Sequence, residues 1–208
     1  MVGQELEEML VEVVETMRSR FFGKYRALVT DVDDPEKMGR VKAQVPEIYH
    51  EGESPWALPA VAFAGPQHGF VVIPEVGDGV WFEFEAGDPS RPIWTGCWWA
   101  SGDLPDPGDT QVRVLVTTAG HKLVLDDQNK EIHLLHCSGA EIKMTDDDLT
   151  LTIGQSEVKM TSDDISLKNG QTEIKLTSSD LTLKGGSSAQ IKLSASGVDI
   201  NNGAMKAM

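Results

Sequence analysis

The chain has 208 residues, a formal net charge of −15 and 40% hydrophobic residues, which suits one ordinary domain with an appended segment. No stretch of Lys and Arg forms a basic patch that could follow phosphates, so we expect no nucleic-acid binding. The sequence has no basic leader before an apolar core and no membrane-length apolar stretch. We therefore expect neither a secretion signal nor a membrane span.

The two cysteines point to no metal or disulfide chemistry. Cys97 and Cys137 lie far apart and lack the CxxC spacing of a zinc site. They are predicted to be small apolar residues of a protein made in the reducing cytoplasm.

Residues 1–20 form the first predicted element, an amphipathic helix. Its apolar residues recur at the i, i+3, i+4, i+7 spacing of one helix face. They are Leu6, Met9, Leu10, Val13, Val14 and Met17. This stripe either packs on its own domain or docks on a neighbouring subunit.

Residues 21–99 are predicted to form a small β-barrel. Five segments alternate apolar and polar residues and are separated by turn sequences. The segments are FGKYRALVTDV, GRVKAQVPEI, GFVVIPEV, GVWFEFEAGD and IWTGCWW. Five strands with a long irregular connection over residues 49–68 favour a Greek-key barrel of the OB-fold type. OB-folds often bind single-stranded nucleic acid, but this acidic segment has no run of Lys or Arg beside its aromatic residues.

Residues 100–117 are predicted to be a linker, and residues 118–203 a β-repeat. GHKLVLDD, from Gly120, is an atypical first unit, and four similar units follow, starting at Ala140, Ser156, Thr172 and Ala189. Each unit holds two alternating segments closed by a glycine, which is typical of a β-solenoid or β-prism. All prolines lie at or before Pro107 and all aromatic residues at or before Trp99, so the repeat has only aliphatic side chains for a narrow core.

One chain cannot cover so thin an apolar stripe, and copies of itself are the obvious neighbours. We therefore predict a homotrimer whose inward side chains are aliphatic, with the repeat lysines outward. The predicted trimer-core residues are Ile142, Met144, Leu149, Leu151, Val158, Met160, Ile165, Leu167, Ile174, Leu176, Leu181, Leu183, Ile191, Leu193, Val198 and Ile200. Residues 204–208 are predicted to be a tail at the distal tip.

From the remaining clusters of polar residues we predict no catalytic residue, no cofactor and no metal. His133 and His136 are three apart, which on a strand puts them on opposite faces, although a threefold ring of one histidine is an alternative. Asp146–Asp148 and Asp163–Asp164 match no calcium-loop spacing and are predicted to cap local backbone groups in turns.

Several motifs together resemble a known family. They are DVDDPEKMGRVKAQVPE from Asp31, SPW from Ser54, PEVGDGVWFEFEAGDPSRPIWTG from Pro74, and GHKLVLDD from Gly120. On these motifs the chain resembles the trimeric central-spike proteins of contractile injection machines, the gpV-like phage baseplate spikes and the VgrG spikes of type VI secretion.

The resemblance implies a mainly β protein: an N-terminal helix, an OB-fold collar and a triple-stranded β-helix, or β-prism, formed by a homotrimer. It also implies a virion or particle location at the baseplate tip and an envelope-piercing role. A separate hub would face the helix residues Leu6, Met9, Leu10, Val13 and Met17, and a PAAR-like tip protein would dock on Asn201, Met205 and Met208. The last residues lack the His-x-His motif with which some relatives bind iron, so no metal is carried over. The rival function is a trimeric adaptor that displays a ligand or effector without piercing.

Overall fold

In the computed structural model the chain forms two compact units, Met1–Asp103 and Leu104–Met208. The structure describes the backbone of residues 2–207 and the side chains of residues 9–11 and 13–205. The predicted fold class is confirmed: the protein is mainly β, with an N-terminal helix, a small five-stranded domain and a long antiparallel sheet.

The first unit contains two helices, one 3-10 turn and seven strands. They are α1 (Val2–Ser19), β1 (Tyr25–Asp31), β2 (Lys42–Gln44), α2 (Pro46–Tyr49), β3 (Leu58–Pro59), β4 (Ala64–Gly65), β5 (His68–Gly69), β6 (Gly79–Phe84), the 3-10 turn (Glu85–Gly87) and β7 (Pro92–Trp98). The main sheet has the order β2-β1-β6-β7-β3, and β3 pairs with β7 in parallel. We call the five-stranded domain, residues 21–99, the collar.

The collar has a core of its own. In β6 the apolar residues Val80, Phe82 and Phe84 alternate with less buried ones, as the period of a half-buried strand requires. Phe82 is fully buried, and Trp94 packs in the same cluster while donating its indole N–H to the Gly39 carbonyl at 3.1 Å. This apolar cluster is the hydrophobic core of the collar, and it is made by the collar's own residues.

Two of the sequence motifs of the collar hold its turns in place. The Asp34 carboxylate accepts both a bidentate bond from the Arg40 guanidinium and backbone N–H bonds from Glu36, Met38 and Arg40. These donors hold the pKa of Asp34 well below its ordinary value. The Ser54 hydroxyl, 3% exposed, accepts the backbone N–H of Ala43 at 3.0 Å. The motif residues thus satisfy backbone groups where the strands turn.

The prediction of a strand over GFVVIPEV was wrong. Residues 70–76 have no regular structure, and only His68–Gly69 form a short bridge with Ala64–Gly65. Phe70 and Val71 are exposed because no strand of the chain lies beside them. The run of apolar residues from Phe70 to Ile73 was misleading here, since a strand also needs a partner for its backbone groups.

The second unit is one sheet of twelve strands in simple chain order. They are β8 (Val112–Val116), β9 (Lys122–Asp126), β10 (Glu131–Leu135), β11 (Glu141–Met144), β12 (Asp148–Ile153), β13 (Ser156–Thr161), β14 (Asp164–Asn169), β15 (Thr172–Thr177), β16 (Asp180–Gly185), β17 (Ala189–Ser194), β18 (Gly197–Ile200) and β19 (Met205–Ala207). Each strand pairs antiparallel with the next. We call this sheet the needle sheet.

The needle sheet extends beyond the predicted repeat at both ends. Strand β8 lies inside the range predicted to be a linker, and it pairs with β9 from Val112↔Asp126 to Val116↔Lys122. Strand β19 lies inside the range predicted to be a tail, and it pairs with β18. The linker is therefore shorter than predicted, because its second half supplies a ladder partner for β9.

Glycine sets the hairpins at one edge of the needle sheet. Ile153 pairs with Ser156, and Asn169 with Thr172, so each loop has two residues. The first loop residue, Gly154 or Gly170, has φ near +60°, a conformation that suits glycine in tight hairpins. These short loops fix the register of the strands that they join.

Ser54→Ala tests the role of the Ser54 motif in the collar. The change leaves the buried N–H of Ala43 without its acceptor, so we expect the collar to lose about 1–3 kcal/mol of unfolding free energy. Urea unfolding followed by tryptophan fluorescence measures this, since every tryptophan lies between Trp56 and Trp99. Ser101→Ala, at an exposed serine, is the control and should leave the midpoint unchanged. Equal midpoints for the Ser54 variant and the native protein would contradict the assignment.

Candidate functional site: the open aliphatic face of the needle sheet

The strand register brings all sixteen predicted trimer-core residues to one face of the needle sheet. Ile142 lies opposite Leu151, which lies opposite Val158, and this chain of neighbours continues through Leu167 and Ile174. A second row runs parallel to it from Met144 to Val198. Directly opposed aliphatic side chains stabilise a sheet by contact across the strands. The face is therefore two continuous aliphatic rows, which we call the aliphatic face.

The aliphatic face is open in the single chain. Nine of its sixteen residues are exposed, by 38–49%, and the other seven are half-buried. In β15, Ile174 and Leu176 are more exposed than Lys175 between them. Monomeric soluble proteins rarely expose an apolar patch of this extent, and such patches mark interaction surfaces. The arrangement can bind another apolar surface.

The opposite face of the needle sheet carries a repeated set of ion pairs. Asp148 pairs with Lys159 at 2.6 Å, Asp164 with Lys175 at 2.8 Å, and Asp180 with Lys192 at 2.8 Å. The hydrogen bond from each lysine lowers the pKa of its aspartate, and burial of the carboxyl opposes the shift. We call these three pairs the Asp–Lys ladder. Each aspartate begins a strand, and its lysine lies on the next strand, so the pattern follows the repeat.

The turns at the other edge of the sheet are capped by threonine. The hydroxyl of Thr145 accepts the backbone N–H groups of Asp147 and Asp148, and Thr161 and Thr177 do the same in the next two units. The prediction that the aspartates of these turns cap the backbone was wrong. Asp148 and Asp164 instead pair with lysines, because a carboxylate at the start of a strand reaches across to the neighbouring one.

The predicted hub-facing residues are exposed where the structure describes them. Met9, Leu10, Val13 and Met17 are 54–73% exposed on α1, and the side chain of Leu6 lies outside the described residues. In the described part of the helix, these side chains therefore do not pack on their own domain. The partner that covers it stays a prediction.

The predicted tip residues lie at the last strands of the needle sheet. The Asn201 side chain accepts the backbone N–H of Gln190 at 2.9 Å, so this residue closes the edge of the sheet. Met205, 64% exposed, pairs with Ile200 in the ladder, whereas Met208 lies outside the described residues. Within the described range, Met205 is the apolar tip residue accessible to a partner.

The histidines and cysteines are not arranged as expected. His133 contacts the Glu141 carboxylate at 2.7 Å, while His136 lies in the following turn beside His121 and Cys137. Cys97 and Cys137 are both free, and both are exposed. The grouping of His121 with His136 was missed because it depends on the pairing of β9 with β10. Extending that register by one residue beyond Lys122↔Leu135 would have brought the two rings together.

Comparison with known proteins agrees with this architecture. Residues 25–99 match the model of the type VI secretion system/phage-baseplate injector OB domain, and residues 112–173 match the phage baseplate V C-terminal trimerisation domain. A segment of 65 residues is 42% identical to the actin cross-linking toxin VgrG1 of Vibrio cholerae serotype O1, covering 29% of this chain and 6% of that protein. The chain thus spans a small part of the length of that relative. Among the described residues, no helix has the length and apolar character needed to cross a membrane.

From the Asp–Lys ladder we predict that the unfolding rate of the protein depends on pH. A carboxyl whose pKa is lowered on folding contributes stability above its ordinary value of 3.8, and loses it as the pH falls through the lowered pKa. We expect the native protein to unfold more slowly than an Asp148→Asn, Asp164→Asn, Asp180→Asn variant at about pH 6, with the difference vanishing in strong acid. Unfolding rates from far-ultraviolet circular dichroism measure this. A difference independent of pH would contradict the ladder.

Proposed function

Because the chain belongs to the gpV- and VgrG-like baseplate spike proteins, we propose that it is the central spike of a contractile injection machine, which pierces the target envelope and links hub to tip. The observation that carries this proposal is the open aliphatic face of a one-layer sheet. Most of that face lies in or directly after the segment that matches a trimerisation domain. The matching surface is available on a second and a third copy of the chain.

Three needle sheets would pack with their aliphatic faces toward a common axis. Every strand of the needle sheet already pairs with its neighbours in the same chain, so each copy would supply one wall of a β-prism. Burying an aliphatic side chain completely stabilises by roughly 1.5–3 kcal/mol, and the half-open residues here would gain part of that amount each. Repeated over two rows, this gain favours a closed trimer in which no aliphatic face remains in water.

The same geometry suits a mechanical role. Twelve strands at roughly 4.8 Å per spacing give a needle on the order of 50 Å long. Hydrogen bonds run along this length from strand to strand, and two-residue hairpins leave little slack at the edges. A rod of this kind resists axial load because bending or shortening it breaks ladder bonds.

We propose no enzymatic activity for the chain. The name of the Vibrio cholerae relative includes a toxin activity, but the shared segment covers only 6% of that protein. That coverage gives no ground for carrying the activity over. The family domains that match are an injector OB domain and a trimerisation domain, and they support a structural role.

The two ends of the chain would connect the spike to its neighbours. The exposed stripe of α1, with Met9, Leu10, Val13 and Met17, would dock on a separate baseplate hub by helix-in-groove packing. The edge strand β19 has Met205 exposed and would receive a separate PAAR-like tip protein by strand addition.

Ile174→Asp tests the trimer. The native protein should have three times the 22.7 kDa mass of one chain, and the variant should be largely monomeric because three carboxylates would meet in an apolar column. Light scattering after size exclusion reads the mass directly. The control is Thr182→Asp, which adds the same charge on the opposite face, between Lys175 and Lys192, and should remain trimeric. A monomeric native protein would overturn the trimeric spike.

Val13→Glu tests the hub-facing helix against Val11→Glu. The two valines are 54% and 56% exposed, but only Val13 belongs to the stripe. Co-purification with the other baseplate proteins of the same particle should lose the hub for Val13→Glu and keep it for Val11→Glu. A truncation of residues 204–208 should keep trimer and hub and lose the tip protein. Loss of the trimer in the truncated chain would instead make these residues a folding clasp.

A further inference from the structure

Three side chains of the types that commonly bind metals lie together at one edge of the needle sheet, near its start. His121 directly precedes β9, and His136 and Cys137 directly follow β10. Their potential ligand atoms all lie within 4.8 Å of one another, and the two imidazole rings have centroids 4.5 Å apart. We propose that His121, His136 and Cys137 bind a zinc ion. The proposal is independent of the spike function, and the family matches do not assign it.

The strand register and two turns build this group. The pair Lys122↔Leu135 ends the β9–β10 ladder, so His121 and His136 face each other one residue beyond it. The first turn is closed by the Thr117 hydroxyl, which accepts the His121 N–H at 3.1 Å, and by the Gly120 N–H bonded to the Thr117 carbonyl at 2.8 Å. The second is closed by the Gly139 N–H bonded to the His136 carbonyl at 2.8 Å. The backbone that carries the ligands is thus held without any ion.

Gly120 shapes the turn that precedes His121. Its φ is +86°, a left-handed conformation that favours glycine, and a Cβ built there would lie 3.8 Å from the Cβ of Cys137. Such a Cβ would make an ordinary van der Waals contact, so it is the backbone conformation that favours glycine here. A larger residue at position 120 would strain the turn that positions His121.

The ligand atoms lie somewhat farther apart than in a tetrahedral zinc site. Zn–N bonds of about 2.0–2.1 Å and Zn–S bonds of about 2.3 Å put ligand atoms roughly 3.3–3.6 Å apart. The Cys137 sulfur is 3.9 Å from Nδ1 of His136. A small movement of exposed side chains closes the set, because His136 and Cys137 lie at the surface of the turn.

The donor atoms select the class of metal. Two imidazole nitrogens and one thiolate suit zinc and related borderline ions, and the group contains no carboxylate of the kind that calcium and magnesium prefer. Three protein ligands leave a fourth position for water. Bound zinc would join the turn that precedes β9 to the turn that follows β10, at one edge of the sheet.

The alternative is that the two histidines only cap turns. Nδ1 of His136 accepts the Ser138 N–H at 3.1 Å and contacts the Ser138 hydroxyl at 2.8 Å, and Nδ1 of His121 accepts the Cys137 N–H at 3.4 Å. Turn capping explains each ring separately. Turn capping does not require the Cys137 thiol, so a substitution of Cys137 distinguishes zinc binding from turn capping.

The experiment uses the full-length protein, stripped with a chelator, reduced, and titrated with cobalt(II) and zinc(II) salts. We expect one metal per chain and a sulfur-to-cobalt charge-transfer band that zinc removes. Cys137→Ser should abolish the band and weaken zinc binding by about a hundredfold, and His121→Ala should weaken it similarly. Cys97→Ser, at the other exposed cysteine, is the control and should leave both unchanged.

Three results would overturn the site. They are no charge-transfer band in the native protein, a band that Cys97→Ser removes, and one metal per three chains, which indicates a shared axial ion. Circular dichroism of each variant checks that the fold is intact. The native titration decides the question even if a variant fails to fold.

Discussion

The needle unit depends on one constraint: a one-layer sheet has two faces, and neither is covered by the described residues of this unit. On one face Asp–Lys pairs and threonine hydroxyls satisfy the polar groups. On the other, aliphatic rows remain up to about half exposed. Water is a good solvent for the first face and a poor one for the second, so only a further apolar surface completes the structure. We therefore propose that association is part of the folding of this unit.

The register of the strands decides which side chains lie on each face of the needle sheet. A shift of one residue between neighbouring strands would turn every aliphatic side chain to the polar face. A two-residue slip would leave the aliphatic side chains on their own face, but the Asp–Lys ladder opposes it because the slip separates each aspartate from its lysine. Exposed ion pairs of this kind add little stability individually. Repeated three times along the sheet, they favour one alignment over its competitors, and the two-residue hairpins at Gly154 and Gly170 enforce the same alignment from the edge.

The sequence predicted those parts of the fold that local periodicity encodes. Ile142, Met144 and their counterparts alternate strictly, so their common face followed from the strand period alone. The unpredicted parts depend on pairing partners. Residues 70–76 contain an apolar run but pair with no strand among the described residues, whereas Val112–Val116 became a needle strand because β9 lies beside it. The His121–His136 contact likewise follows from register, which no single segment contains.

The two units differ in what stabilises them. The collar encloses Phe82 and Trp94 in a core of its own, so its stability is a property of one chain. The needle sheet has no such core among its described residues, of which Val112, Val124 and Ser166 are buried. If its remaining apolar contacts come from other copies, its stability depends on chain concentration, as for any obligate oligomer. A newly made chain would then fold its collar first, and the needle sheet would become rigid only when three chains have met.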